Sequence, residues 1–190
     1  MSTLTVANLQ GTPTTSNVIT IPAGHTLRSA SVGGIYLPGS VIQVTQVVKT
    51  DTFSAAANGT WTDITGLTLN ITPKYVTSQI LVMMSVVGGS TGTTPKIRLL
   101  RNGSAIAVPS AAGSRQLATM GTTMVVDANQ TTTMAMNFID NPATTSAVTY
   151  KLQINSDNTV TAYINRSVTD SDNSTGGRYI SSITLMEIGV

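Results

Sequence analysis

Residues 148–154 read Val-Thr-Tyr-Lys-Leu-Gln-Ile, apolar and polar in turn at every step. A period of two puts Val148, Tyr150, Leu152 and Ile154 on one face of a strand; a helix, with its period of 3.6, would scatter them. The same rhythm recurs at Leu67, Leu69 and Ile71, and again at Met134, Met136 and Phe138. Residues 79–87, QILVMMSVV, are apolar on both faces, which predicts a central strand covered on two sides. Asn102-Gly103, between Lys96-Ile97-Arg98-Leu99-Leu100-Arg101 and Ser104-Ala105-Ile106-Ala107, predicts a hairpin tip. Further strands are expected over residues 41–48, 116–126, 159–165 and 179–188, the last in the interior of a sheet. Only Ser54-Ala55-Ala56-Ala57 could form a helical turn. About eight or nine short strands with turn chemistry between them predict an all-β chain folded as an antiparallel jelly-roll-like β-sandwich.

Residues 1–41 read differently. Gln10-Gly11-Thr12-Pro13, Pro22-Ala23-Gly24, Gly33-Gly34 and Pro38-Gly39 interrupt every apolar run. We expect an extended N-terminal arm there, holding short β-runs at Ile19-Thr20-Ile21 and Ile35-Tyr36-Leu37, followed by the sandwich over residues 42–190. The arm has too few apolar residues to close a core of its own. Val18, Ile19, Ile21, Leu27, Ile35, Tyr36 and Leu37 are therefore its candidate contacts with other chains.

Charge is scarce. Lys and Arg number 10, Asp and Glu 8, and all four together make up 9 % of the 190 residues, against roughly 25 % in an ordinary domain. The cations are scattered, whereas a phosphate backbone needs them clustered, so nucleic acid is not an expected partner. With no cysteine, disulfide frameworks and thiolate metal sites are excluded. The first residues show no basic and apolar secretion signal, and no apolar run reaches the ~18 residues of a membrane helix, so no membrane insertion is expected.

No catalytic constellation emerges, and no enzymatic activity or cofactor is expected. His25, the single histidine, sits beside Gly24 in a turn and reads as a structural hydrogen-bonding residue. The carboxylates mostly stand alone in turns, where side chain-to-backbone bonds explain them. The sharpest cluster is Thr169-Asp170-Ser171-Asp172-Asn173-Ser174-Thr175-Gly176-Gly177. Its hard oxygens make Asp170, Asp172 and Asn173 candidate calcium ligands, although the later glutamate of a helix-flanked calcium loop is missing. The plain reading is a solvated connection between the last two strands. Ser90, Thr91, Arg115, Asp170 and Asp172 are the candidate surface-loop contacts, on loops near residues 88–94, 110–115 and 170–177. Methionines within strands, Met83, Met84 and Met186 among them, fill core gaps or line a subunit interface. Trp61 is expected to cap one end of the sandwich.

Phrases of the sequence carry a resemblance. MSTLTVANLQG, NVITIPAGHTL and GSVIQVTQVVKTDTFS resemble the opening of structural proteins of marine and cyanobacterial tailed bacteriophages. TDITGLTLNITPK, SQILVMMSVV, IRLLRNGSAI, NFIDNPATTSAVTYKLQI and SSITLMEIG are similar to the C-terminal β-domains of phage fibres. Together they span nearly the whole chain. The resemblance implies a virion structural protein, assembled in the host cytoplasm and exposed on the particle. It also implies a homotrimer whose N-terminal segment attaches to other virion proteins and whose C-terminal knob meets a host surface glycan or protein. A tail-fibre component is the first expectation. A capsid decoration or head-fibre protein is the alternative, and a glycan-degrading tailspike is the third. The family shares no catalytic motif, so no site residue is carried over from it.

Overall fold

A computed structural model describes residues 21–28, 37–56, 58–90, 95–121, 127–156, 160–174 and 176–190. The chain divides into two compact units, Met1–Ile35 and Tyr36–Val190. Among the described residues, eleven strands lie in the second: β1 (Val41–Lys49), β2 (Phe53–Ala55), β3 (Trp61–Ile71), β4 (Gln79–Gly89), β5 (Lys96–Arg101), β6 (Ser104–Ile106), β7 (Met120–Gly121), β8 (Thr132–Asp140), β9 (Val148–Asn155), β10 (Ala162–Ile164) and β11 (Ser181–Ile188). Among the described residues there is no helix, and Ser54 and Ala55, expected to turn helically, lie in β2 instead.

All pairings are antiparallel. β8 occupies one edge of β4 from Ile80 to Gly88. β11 and β10 must then share the other edge, β11 along residues 79–85 and β10 at Gly88 and Gly89. β1 pairs with β11, and β2 with β10. The larger sheet is thus four rows wide: β1/β2, β11/β10, β4, β8. The smaller sheet runs β3, β9, β5, with β6 and β7 sharing the last edge. Counting β1/β2, β6/β7 and β10/β11 as broken single strands, the order is 1-8-3-6 facing 2-7-4-5. That is a jelly roll, the fold expected from the strand rhythm.

The core is built by the alternation that predicted it. Val148, Tyr150, Leu152 and Ile154 are fully buried against Ile80, Val82, Ile183 and Leu185 of the opposite sheet. Each such side chain contributes roughly 1.5–3 kcal/mol by leaving water. β11 is interior, as expected. β4 is central, but it is covered on both edges and not on both faces: Ile80, Val82, Met84 and Val86 are buried, while Leu81, Met83, Ser85 and Val87 on its other face are only half covered. Of the expected strand at residues 116–126, Met120 and Gly121 pair with β5, residues 116–119 do not form a strand, and residues 122–126 lie outside the described set.

Polar residues lock the layers where the strands break. Asn102 (φ 49°) and Gly103 (φ 85°) form the two-residue hairpin between β5 and β6, both in the left-handed region that such a turn requires. Tyr150 donates to Asp140 Oδ2 at 2.6 Å and Arg101 to Asp140 Oδ1 at 2.8 Å, which ties β8 of one sheet to β9 and β5 of the other. Burial, and then the bond to Asp140, push the Tyr150 phenol well above its ordinary pKa. Glu187 is fully buried in β11; its carboxylate accepts from Gln43 Nε2, the Lys74 amide and the Ser78 hydroxyl.

The two proline-glycine phrases of the arm adopt the same turn. The His25 amide donates to Pro22 O at 3.1 Å with Gly24 at φ 83°, and the Ser40 amide donates to Leu37 O at 2.9 Å with Gly39 at φ 82°. Glycine is needed at the third position because φ there is positive. The second turn is pinned to the far end of the chain: Gly39 N donates to Gly189 O, and Gly189 N to Ser40 O. Leu37, counted among the arm's candidate contacts, therefore stands in a turn tied to its own domain, with its side chain exposed. Ile21 and Leu27 are exposed as well. Val18, Ile19, Ile35 and Tyr36 lie outside the described residues.

Candidate functional site at the loop pole

The register divides the sandwich into two poles. Val41, Ile188, Gln79 and Asp140 mark the one where residues 37–40 join β1. Gly89, Tyr163, Thr132, Lys96 and Asn155 mark the other. Among the described residues, 127–131, 160–161, 165–174 and 176–180 adjoin these strand ends and gather at this second pole. Of the loops singled out in the sequence, the described residues 88–90 and 170–174 stand at this pole, and residues 91–94 lie outside the described set. The third, at residues 110–115, leads into it through Gln116, whose Oε1 accepts from Trp61 Nε1 at 3.1 Å.

Asn165 organises the pole. It is fully buried with φ 63°, a conformation that Asn tolerates better than other residues with a Cβ. Its Nδ2 donates to Lys49 O and Asp51 O, both at 2.9 Å, and its Oδ1 accepts from the Ser181 hydroxyl at 2.6 Å. Its amide donates to Val87 O. One side chain thus satisfies the backbone where β1 breaks into β2, and holds the start of β11 beside the end of β10.

Asp170 is the hub of the neighbouring loop. Its carboxylate accepts from Arg166 Nη1 at 2.9 Å and Arg178 Nη2 at 3.1 Å, with a further contact to Arg178 Nη1. Arg166 stacks 4.2 Å over the Tyr163 ring and donates to Ser167 O and Val168 O. Beside this network is an open cleft of about 410 Å³, lined by Ser167, Asp170, Asp172, Asn173 and Arg178 among others. Two guanidinium groups occupy both Asp170 oxygens, and Asn173 Oδ1 accepts from the Gly176 amide at 3.0 Å. Of the candidate calcium ligands Asp170, Asp172 and Asn173, Asp170 thus has both carboxylate oxygens engaged by guanidinium groups of its own chain. Among the described residues, no group of three or more His, Asp and Glu side chains stands together as a metal site. The cleft instead offers hydroxyl, amide, carboxylate and guanidinium groups within one loop, a mixture suited to a hydroxyl-rich ligand.

The other loop candidates fare differently. Ser90, a candidate surface contact, is buried, and among the described residues its hydroxyl has no hydrogen-bond partner. The chain turns inward there because Gly89 lies under the backbone of Arg166 and Ser167. Arg115 is exposed and donates to Ala112 O. Thr91 lies outside the described residues.

Two features at this pole went unread in the sequence. Arg166 and Arg178 flank Asp170 at four and eight residues' distance, a charge pattern present in the sequence itself. Trp61 does not cap the sandwich end. It lies half-buried at the start of β3, with the Arg98 guanidinium 4.3 Å from its ring. Next to it, Asp63 accepts from Lys151 Nζ at 2.6 Å and Gln153 Nε2 at 2.5 Å. The Lys151 hydrogen bond, helped by Gln153, holds the Asp63 carboxyl below the usual carboxylate range.

No known protein family and no curated protein matches this chain. Among solved structures, it is similar to a chain of the infectious bursal disease virus Gx strain structure, with a TM-score of 0.38 and 15 % identity over 88 % of the present chain. The match takes in 42 % of that viral chain, less than half of its length.

Proposed function

We propose that the protein is a virion structural protein of a tailed bacteriophage, a homotrimeric tail-fibre component that attaches through its N-terminal arm and presents the jelly roll to the host surface. The observation that carries this reading is the separation of the two poles. The chain enters the sandwich at Ser40, beside Gly189, and the polar loops with the Asp170 cleft lie at the opposite end. A protein built this way can be fixed at one end and make contact at the other. Exposed Ile21, Leu27 and Leu37 on the entering segment leave apolar surface for neighbouring chains. The loop chemistry favours a glycan: Ser167, Asp170, Asp172 and Arg178 are groups that pair with sugar hydroxyls. Weak contacts repeated over three copies gain avidity without a deep pocket.

The role is attachment and not turnover. Asp170, the acid that a glycan-cleaving mechanism would draw on, is engaged by two guanidinium groups. Fluorescent full-length protein is expected to label host cells, and Asp172→Ala with Arg178→Ala to weaken that labelling about tenfold or more. Equal labelling by wild type and variant sinks the contact site. Release of reducing sugar from host polysaccharide that depends on Asp172 makes the protein an enzyme. Immunogold labelling of intact particles is expected on tails; gold on heads makes it a decoration or head-fibre protein.

A further inference from the structure

The outward faces of the two sheets differ in charge. The smaller sheet turns Asp63, Arg98 and Lys151 outward. On the larger sheet the register aligns Val44 of β1, Met186 of β11, Leu81 of β4 and Ile139 of β8 in one row across all four strands. The next row is Gln46, Thr184, Met83 and Asn137. None of the outward residues of these strands is charged. The acids on them, Asp140 and Glu187, both point inward and are buried. Val44 is 54 % exposed, Ile139 50 % and Val48 42 %. An antiparallel sheet with one face in water ordinarily alternates apolar-in with polar-out. Here the first row is apolar throughout, and Met83 and Val48 add to it among Gln46, Thr184, Asn137, Ser182 and Ser85. Among the described residues, only the loop pole is closed over: a Cβ on Gly89 would come within 3.0 Å of Arg166 O and 3.4 Å of Gln130 O.

We infer that this charge-free face is the surface on which sister copies of the chain meet. Depletion of charge at the centre is what distinguishes an interface from ordinary surface. A neutral face meets a copy of itself without like-charge repulsion, whereas it offers nothing to steer or hold a charged partner. The size is suitable too. Four strands about 4.8 Å apart and about 27 Å long present on the order of 500 Å² of flat sheet. That is within a factor of two of the roughly 800 Å² per partner that a standard interface buries. Met83 and Met186 near its middle are adaptable side chains that fill an irregular seam. The inference rests on the homo-oligomeric part of the function proposed above and names the surface it uses.

The test is made on the full chain, by sedimentation over a range of concentrations. Val44→Lys with Ile139→Lys places like charges on the face; Thr68→Lys with Asn70→Lys, on the exposed side of β3, is the control; Ile19→Ser with Ile21→Ser alters the arm. The face variant is expected to dissociate at a concentration at least tenfold higher than wild type, with circular dichroism unchanged and the control variant behaving as wild type. A face variant that assembles like wild type overturns the inference and leaves the homo-oligomer standing, all the more so if the arm variant dissociates. A wild type that is monomeric throughout overturns both. A second measurement needs no variant: dilute peroxide is expected to oxidise Met83 and Met186 several-fold more slowly in the assembly than in dissociated chains. Equal rates in the two states also overturn the inference.

Discussion

The side-chain amide of Asn165 reaches across the larger sheet to the backbone carbonyl of Lys49, 2.9 Å away. Asp51 O takes its second proton, and Ser181 donates to its oxygen. The residue is buried and left-handed, so bond geometry and backbone geometry act at the same place. Asn165→Ala removes three hydrogen bonds, strands buried carbonyls and puts a strained φ on alanine; it is expected to cost about 3 kcal/mol or more. Asn165→Gly loses the same bonds but relieves the strain, and should be about 1 kcal/mol less harmful than alanine. Urea denaturation of the two variants gives the comparison, and alanine as the milder change would refute it.

Tyr150 and Asp140 form the corresponding lock between the sheets. Tyr150→Phe keeps the packing and removes a buried donor from a carboxylate. A loss of about 1–3 kcal/mol is expected in equilibrium unfolding, with the m-value unchanged. A neutral result would mean that Arg101 alone satisfies Asp140.

Two glycines of the strands should differ in kind. Gly66 has φ +88° in the β3 bulge, and a Cβ there would meet Lys49 at an ordinary 3.6 Å. Its requirement is conformational, so Gly66→Asn should be tolerated better than Gly66→Ala. At Gly89 the backbone is ordinary, and a Cβ would meet the Arg166 carbonyl at 3.0 Å. Neither alanine nor asparagine fits there, and each should cost about 1–3 kcal/mol. Thermal melts of the four variants decide it.

Asp63 sets a pH dependence. Its folded pKa lies below the unfolded value because Lys151 and Gln153 donate to the charged form. Its stabilising contribution is therefore complete above the unfolded pKa, near 4, and fades as pH falls through the lower folded value. The group is half exposed, so the contribution is under about 1 kcal/mol. Asp63→Asn should be less stable than wild type at pH 6, and the gap should narrow as pH falls through the lowered folded value. A gap that persists in acid would assign the effect to something other than the charge.

The strands were legible because each carries its own alternation: Val148 to Ile154 needs no neighbour to be read. The Asn102-Gly103 turn was legible for the same local reason. Pairing across the sequence was not. Trp61 meets Arg98 only because β9 lies between β3 and β5, and no local pattern announces that. Nothing local marks Asn165; its burial depends on where β1 breaks, over a hundred residues away. Ser90 looked like a loop residue because Gly88-Gly89 precedes it, yet those glycines let the chain pass beneath residues 166–167. At the Asp170 loop the sequence displayed the oxygens, but the arginines that claim them stand outside the acidic run.

The closing of Gly39 and Ser40 on Gly189 decides how this domain meets mechanical force. β1 and β11 are antiparallel neighbours, from Val41 beside Ile188 to Lys49 beside Ser181. A tether pulling at Ser40 against a load held near Asp170 runs along that ladder in shear, so its hydrogen bonds resist together. The same tension applied between Ser40 and Gly189 would peel them apart singly. An anchor at one pole and a grip at the other is the orientation in which this sandwich withstands drag.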